Sequence, residues 1–251
     1  MPVPIPLRPA GPSSYWQASR APRYSLLFAL PLFVLYETLA WILAGDSPGA
    51  VRNGADVIIR QSFMALAGTR GSLAFGAVMT GVTIWLVARD IRRHGPGLRL
   101  PVFVGMFAES MVMALLVGVV AGTLTANLLS FTSRLSIGPV EQMSVAMRVM
   151  LSLGAGLYEE LLFRVVLVGS LAWLGRRVFG WKIWPAGVVA TVGGAIIFSA
   201  FHYVGAYGDP FELRSFVFRA IAGLFFSVLF LLRGFGIAAW SHALYDIAVM
   251  T

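Results

Sequence analysis

Apolar runs near the length of a bilayer crossing recur along the whole chain, and they leave a membrane as the only solvent that suits it. They cover Ser25 to Gly45, Ser72 to Ala88, Pro101 to Phe131, Val149 to Leu174, Trp184 to Tyr203, Phe216 to Leu232 and Phe235 to Met250. A helix needs about 20 such residues to span the hydrocarbon layer. The last run is short for a crossing, and the third is long enough to tilt or protrude. Only 12% of residues are charged, against about 25% in an ordinary soluble domain. The pattern predicts an all-α fold, a polytopic transmembrane bundle of about seven to eight helices. One domain over 25–251 follows a polar, proline-rich tail of residues 1–24. The first run lies too far from the start, and is too long, for a cleavable signal peptide.

Between the first two runs, Ala55, Ile58, Ile59, Ser62, Phe63 and Leu66 recur at helical spacing opposite Asp56, Arg60 and Gln61. That is the signature of an amphipathic helix lying in the interface rather than a span. Gly118 and Gly122, and the pair Gly193 and Gly194, predict close helix packing, since small residues let backbones approach where lipid supplies no hydrophobic drive.

The net charge of +8 comes from 19 Lys and Arg against 11 Asp and Glu. On the predicted topology the basic residues concentrate on the N-terminal side: Arg8, Arg20 and Arg23 before the first span, Arg89, Arg92, Arg93 and Arg99 after the second, Arg176, Arg177 and Lys182 after the fourth, Arg233 after the sixth. Fewer fall opposite, Arg52, Arg60, Arg70, Arg134, Arg148, Arg214 and Arg219 among them. The bias predicts a cytoplasmic N-terminus in a multi-pass protein of a prokaryotic cytoplasmic membrane, with membrane lipids as partners and no nucleic acid. Trp173, Trp181 and Trp184 fit an interfacial aromatic belt. Cysteine is absent, which excludes disulfides, a thiolate-zinc site and a cysteine nucleophile.

A charge at the bilayer centre costs about 2.5 to 3.5 kcal/mol on insertion scales, so each ionisable residue in an apolar run is a functional candidate. These are Glu37, Glu109, Glu159, Glu160, Arg164, His202, His242 and Asp246. Glu37 and Glu109 stand outside any motif and are expected as a polar contact in the bundle interior and a residue near an interface. His94 lies in a basic loop, and Asp209 in a stretch of turn formers, where solvation suffices.

In Tyr158-Glu159-Glu160-Leu161-Leu162-Phe163-Arg164 the two carboxylates diverge by about 100° on an α-helix, so they cannot share one role. Glu160 and Arg164 stand four apart with the acid first, the favourable order for an ion pair. Glu159 is then the freer carboxylate, able to serve as general base to a water. A purely structural ion network explains the same three residues. Two further clusters shift the balance: Phe198-Ser199-Ala200-Phe201-His202 ends the fifth run, and His242-Ala243-Leu244-Tyr245-Asp246 occupies the seventh. A glutamate, two histidines and an aspartate in a dry cavity suit two hydrolytic devices. In one, Glu159 and His202 activate water. In the other, Glu159, His202, His242 and Asp246 supply ligands to zinc or another divalent metal. A proton-coupled transporter, or a noncatalytic scaffold, would use the same residues as a relay or a lock.

Taken in order, E-E-x-x-x-R, F-x-x-x-H and H-x-x-x-D resemble the CPBP family, which includes CAAX prenyl endopeptidases and bacteriocin-processing and immunity proteins. The resemblance covers Glu159 to Asp246. It implies an intramembrane endopeptidase acting on a membrane-embedded or lipid-anchored protein or peptide tail. It also implies that Glu159 and His202 activate water, with Glu160, Arg164 and Phe198 in support. The family's third motif often ends in asparagine; Asp246 stands there, and an ionised aspartate cannot donate a hydrogen bond. Asp246 is therefore expected to orient His242, to keep it protonated as an oxyanion donor, or to join a metal shell. The serine and zinc designs G-x-S-G and H-E-x-x-H are missing. On the simplest topology Glu159 lies mid-membrane and His202 at a span end, so a site requires a shifted, broken or tilted helix.

Overall fold

The computed structural model describes residues 14–44, 51–95, 97–129, 143–205 and 208–250. Arg8, Arg134, the predicted end of the third run at Phe131 and most of the polar tail lie outside them. The described residues are helical with no strand: α1 (Tyr15–Arg20), α2 (Pro22–Ala44), α3 (Gly54–Ala67), α4 (Gly71–His94), α5 (Leu100–Leu129), α6 (Val145–Gly154), a π-helical stretch (Ala155–Val168), α7 (Gly169–Arg177), α8 (Ile183–Phe201), α9 (Leu213–Arg233) and α10 (Phe235–Met250). The polar tail thus already turns helical at Tyr15, where Ser14 caps α1 reciprocally with Gln17. Five helical stretches among the described residues, 22–44, 54–94, 100–129, 183–201 and 213–233, are long and apolar enough to cross a membrane. The fourth predicted run is present as α6, the π-helical stretch and α7 in unbroken succession.

The stretch 54–94 is not one rod. A turn through Gly68, whose φ is +58°, folds α3 back on α4. The Phe63 and Phe75 rings then lie 5.5 Å apart, and a Cβ at Gly71 would fall 2.4 Å from the Met64 backbone. α3 packs Ile59 and Phe63 of its predicted apolar face against the core but does not bury that face alone. Asp56 is fully buried and Ala55 with it, while Leu66 is 88% exposed and Ile58 also faces out. The reason is charge pairing: Asp56 accepts from Arg52 Nη1 at 2.8 Å and from Tyr36 Oη at 2.9 Å, and Arg60 pairs with both Asp56 and Glu37. Four ionised groups that satisfy one another are better held between helices than exposed singly to lipid.

The C-terminal helix α10 is the axis of the bundle. On one side it packs with α2, α5 and α9 through Phe28, Met106, Val117, Phe226 and Ile237. On the other it packs with α2, α6 and the π-helical stretch through Leu32, Tyr36, Met150, Tyr158 and Ala243. Gly156 makes that second contact: a Cβ there would stand 2.3 Å from the Ala239 carbonyl oxygen. Of the glycines predicted to pack, Gly118 meets the Tyr245 ring and Gly194 meets Val168, whereas Gly122 and Gly193 face open space.

Two of the basic residues read as loop charges are buried in pairs instead. Arg23 lies beside Asp90, its Nε 3.4 Å from Oδ2, and Arg233 donates to Glu109 Oε2 at 2.8 Å. Glu109, expected near an interface, is thereby a structural anion that also accepts from Tyr15 Oη at 2.6 Å. Glu37 joins Arg52, Arg60 and Tyr158. His94 is solvent-exposed but bonded to Asp90 at 2.9 Å, and Asp209 is paired with Arg219.

Candidate active site

The two arms that carry Glu159 and His202 meet because they form a helical hairpin. Gly180, with φ +66°, sits in the turn between α7 and α8, and Glu159 and His202 lie at almost equal distances from it along the chain. Equal arms bring the two residues to one depth. The continuous helical arm that carries Glu159 runs from Val145 to Arg177. Likewise α9 and α10 turn on Gly234, φ +84°, which leaves Phe226 and His242 equally far from the turn. Their rings stack with centroids 4.4 Å apart.

The π-helical stretch carries Glu159, Glu160 and Arg164. Its wider coil turns successive side chains apart by less than the roughly 100° of an α-helix, and such windings recur at functional sites. Glu160 is wholly buried and Arg164 is 1% exposed, and Arg164 Nε lies 3.2 Å from Glu160 Oε2, the pair that the spacing predicts. The guanidinium also covers the Phe198 ring at 4.4 Å and the Phe226 ring at 5.7 Å. Arg164 thus closes the inner wall, with Phe198 beneath it.

Glu160 has a second task that sequence reasoning missed. Its Oε1 accepts from His242 Nδ1 at 2.8 Å, while Asp246 Oδ2 stands 3.6 Å from His242 Nε2, beyond hydrogen-bond reach. The residue that fixes the His242 ring is therefore Glu160, and Asp246 faces the opposite nitrogen. No spacing rule could pair Glu160 with a residue 82 positions away.

His202 Nδ1 donates to the Phe198 carbonyl oxygen at 2.9 Å. A carbonyl only accepts, so in the neutral ring the hydrogen is on Nδ1 and Nε2 presents its lone pair. That nitrogen lies 4.0 Å from Glu159 Oε2, too far for a direct bond and near enough for one water to bridge. The other Glu159 oxygen, Oε1, accepts from Asn53 Nδ2 at 2.9 Å. Asn53 is the second functional contact that sequence reading missed. Asn-Gly ahead of an apolar helix signals a cap, but carries no hint of a partner 106 residues on.

All seven residues singled out in the motifs, Glu159, Glu160, Arg164, Phe198, His202, His242 and Asp246, converge on this region. The donor set does not form a metal shell: among the described residues no three His, Asp or Glu side chains are grouped to hold an ion. Both His242 nitrogens face carboxylates.

This arrangement agrees with the comparison to known families. Residues 141–248 match the type II CAAX prenyl endopeptidase Rce1-like family. No curated protein and no solved structure matches the chain. The Rce1-like segment opens just before α6 and closes within α10, so it contains all seven motif residues, while Asn53 and the α2–α3 ion network lie outside it. Five bilayer-length apolar stretches describe a multi-pass membrane protein, and residues 141–248 of it are similar to that endopeptidase family.

Proposed function

We propose that the protein is an intramembrane endopeptidase that cleaves a peptide bond in a membrane-associated protein or peptide tail, with water activated by Glu159 and His202. The observation that carries this reading is the 4.0 Å gap between Glu159 Oε2 and His202 Nε2, each group anchored at its other polar atom. A water in that gap donates one hydrogen to each. Its oxygen lone pair is then free to attack the peptide carbonyl as the proton passes to Glu159. The new C–O bond forms, the carbonyl oxygen becomes anionic, and His242, steadied by Glu160, donates from Nε2 to that oxygen in its protonated form. Glu159 returns the proton to the nitrogen as the C–N bond breaks.

An apolar cleft of about 740 Å³ between α2, α4 and the π-helical stretch, with Leu157 and Tyr158 in its wall, offers an adjoining seat for the lipid-borne part of a substrate. The Rce1-like match makes a peptide ending in a prenylated cysteine and three further residues the first substrate to try. In proteoliposomes the wild type should cleave it and Glu159→Gln should not. In parallel, comparison of peptide termini in membranes holding either protein should reveal ends made only by the wild type. No differential terminus, with both proteins folded, overturns the hydrolytic reading in favour of a relay or scaffold. Loss of cleavage with a divalent-metal chelator would assign Glu159, His202, His242 and Asp246 as ligands instead.

A further inference from the structure

The hydrogen bond from Asn53 to Glu159 joins the first half of the chain to the site. We infer that Asn53 is a positioning residue that fixes the Glu159 carboxylate so that only Oε2 is presented to water; this rests on the hydrolytic reading above. Asn53 is buried, and each of its polar groups is committed. Its Oδ1 caps α3 by accepting from the Ala55 N–H at 2.9 Å, which turns Nδ2, a donor only, toward Glu159. Its own N–H donates to Tyr36 Oη at 3.2 Å. Tyr36 is held in turn by Asp56, and Tyr158, next to Glu159 in the chain, donates to Glu37 at 2.7 Å. The half-buried ion network around Asp56 is therefore a mount on both sides of the acid. Gly154 leaves the room this needs: a Cβ there would press Asn53 Cβ at 2.8 Å.

Asn53→Ser keeps a capping oxygen and removes the amide; Asn53→Asp keeps the cap and sets a carboxylate against Glu159. Asn53→Ser leaves Glu159 Oε1 without its donor and should lower Tm by about 3 to 12 °C, and Asn53→Asp, which adds a second carboxylate, by more; activity is therefore read well below both transitions. On the prenylated peptide, kcat should fall about 10- to 100-fold, the worth of a bond to a charged group, with KM within about twofold. Wild-type kcat in both variants, each folded at the assay temperature, overturns the inference, as does an unchanged Tm in both, which would mean that the bond is not made. A second readout is independent of turnover: in ¹⁵N-labelled protein the Asn53 side-chain amide resonance should move on Glu159→Gln. An unmoved resonance overturns the hydrogen bond, whereas a moved one in a protein that cleaves nothing retains the contact and overturns only the hydrolytic role.

A separate observation concerns the outer face of α7, α8 and α9. A groove of about 1120 Å³ there has Trp173, Trp184, Val188 and Leu231 in its walls and Arg176 and Arg177 at one end. We propose that it seats one anionic phospholipid, acyl chains along the apolar wall and phosphate on the two guanidinium groups. Both arginines are in the last turn of α7 and find no partner among the described residues. Basic pockets between membrane helices suit such headgroups, and indole rings mark the interface level. Protein purified after incubation with vesicles of equal phosphatidylglycerol and phosphatidylcholine should retain the anionic lipid in about tenfold preference, and the Arg176→Gln, Arg177→Gln double variant should lose it. Equal retention of both lipids by the wild type, or unchanged preference in the variant, overturns the proposal.

Discussion

Replacing Arg164 by methionine tests the inner wall of the site. The side chain is 1% exposed and its ion partner Glu160 is fully buried, with Nε 3.2 Å from Oε2. Breaking a buried pair by removing one partner costs about 3 to 5 kcal/mol, because the remaining charge stays desolvated. The guanidinium contacts to Phe198 and Phe226 fall within that range, since methionine replaces their packing and forfeits only the charge attraction. For a chain of this size each kcal/mol moves Tm by about 2 to 4 °C, so Arg164→Met should lower Tm by about 6 to 20 °C. Adding Glu160→Gln removes the orphaned charge while keeping an acceptor for His242. The double variant should therefore recover more than half of the loss. Tryptophan fluorescence during a thermal ramp in detergent reads both quantities. A single variant within about 3 °C of wild type, or a double variant no better than the single, refutes the ion pair as the origin of the stability.

Gly156→Ala places a methyl 2.3 Å from the Ala239 carbonyl oxygen and 2.7 Å from Ala243 Cβ. It should destabilise by about 1 to 3 kcal/mol through overpacking, measured by the same ramp, whereas Gly122→Ala, which meets nothing, should not. Asp56→Ala leaves Arg52 and Arg60 with Glu37 alone and Tyr36 without its acceptor, and should cost about 1 to 3 kcal/mol; a near-neutral result removes the rigid-mount account of α3. Burial, then the adjacent Glu109 carboxylate, push the Tyr15 phenol up to about 12. A phenol held neutral in the folded state adds stability that is complete below its ordinary value near 10 and is lost as pH rises through 12. Trp16 lies under the Arg233 guanidinium, so its fluorescence should report release of α1 over that window in the wild type. Tyr15→Phe should remove this step, and superimposed titrations would refute the coupling.

The helical class, the runs that become α2, α4, α5, α8, α9 and α10, and the motif residues were legible in the sequence because each depends on local information. An apolar run declares a bilayer helix by its length, a buried charge declares itself by its cost, and Glu160 with Arg164 follows from helical spacing. Three things required the folded chain. The burial of Asp56 on α3 is not legible, because periodicity marks which residues share a face and not what covers it; Asp56 and Arg60 find partners on α2 and so face in. The equal depth of Glu159 and His202 depends on where the α7–α8 hairpin turns, at Gly180, rather than on where hydropathy centres a span. The contacts from Asn53 to Glu159 and from Glu160 to His242 join residues 106 and 82 positions apart. Such pairs leave no trace in a local pattern, since their distance is set by how helices pack against α10 and by nothing in the residues between.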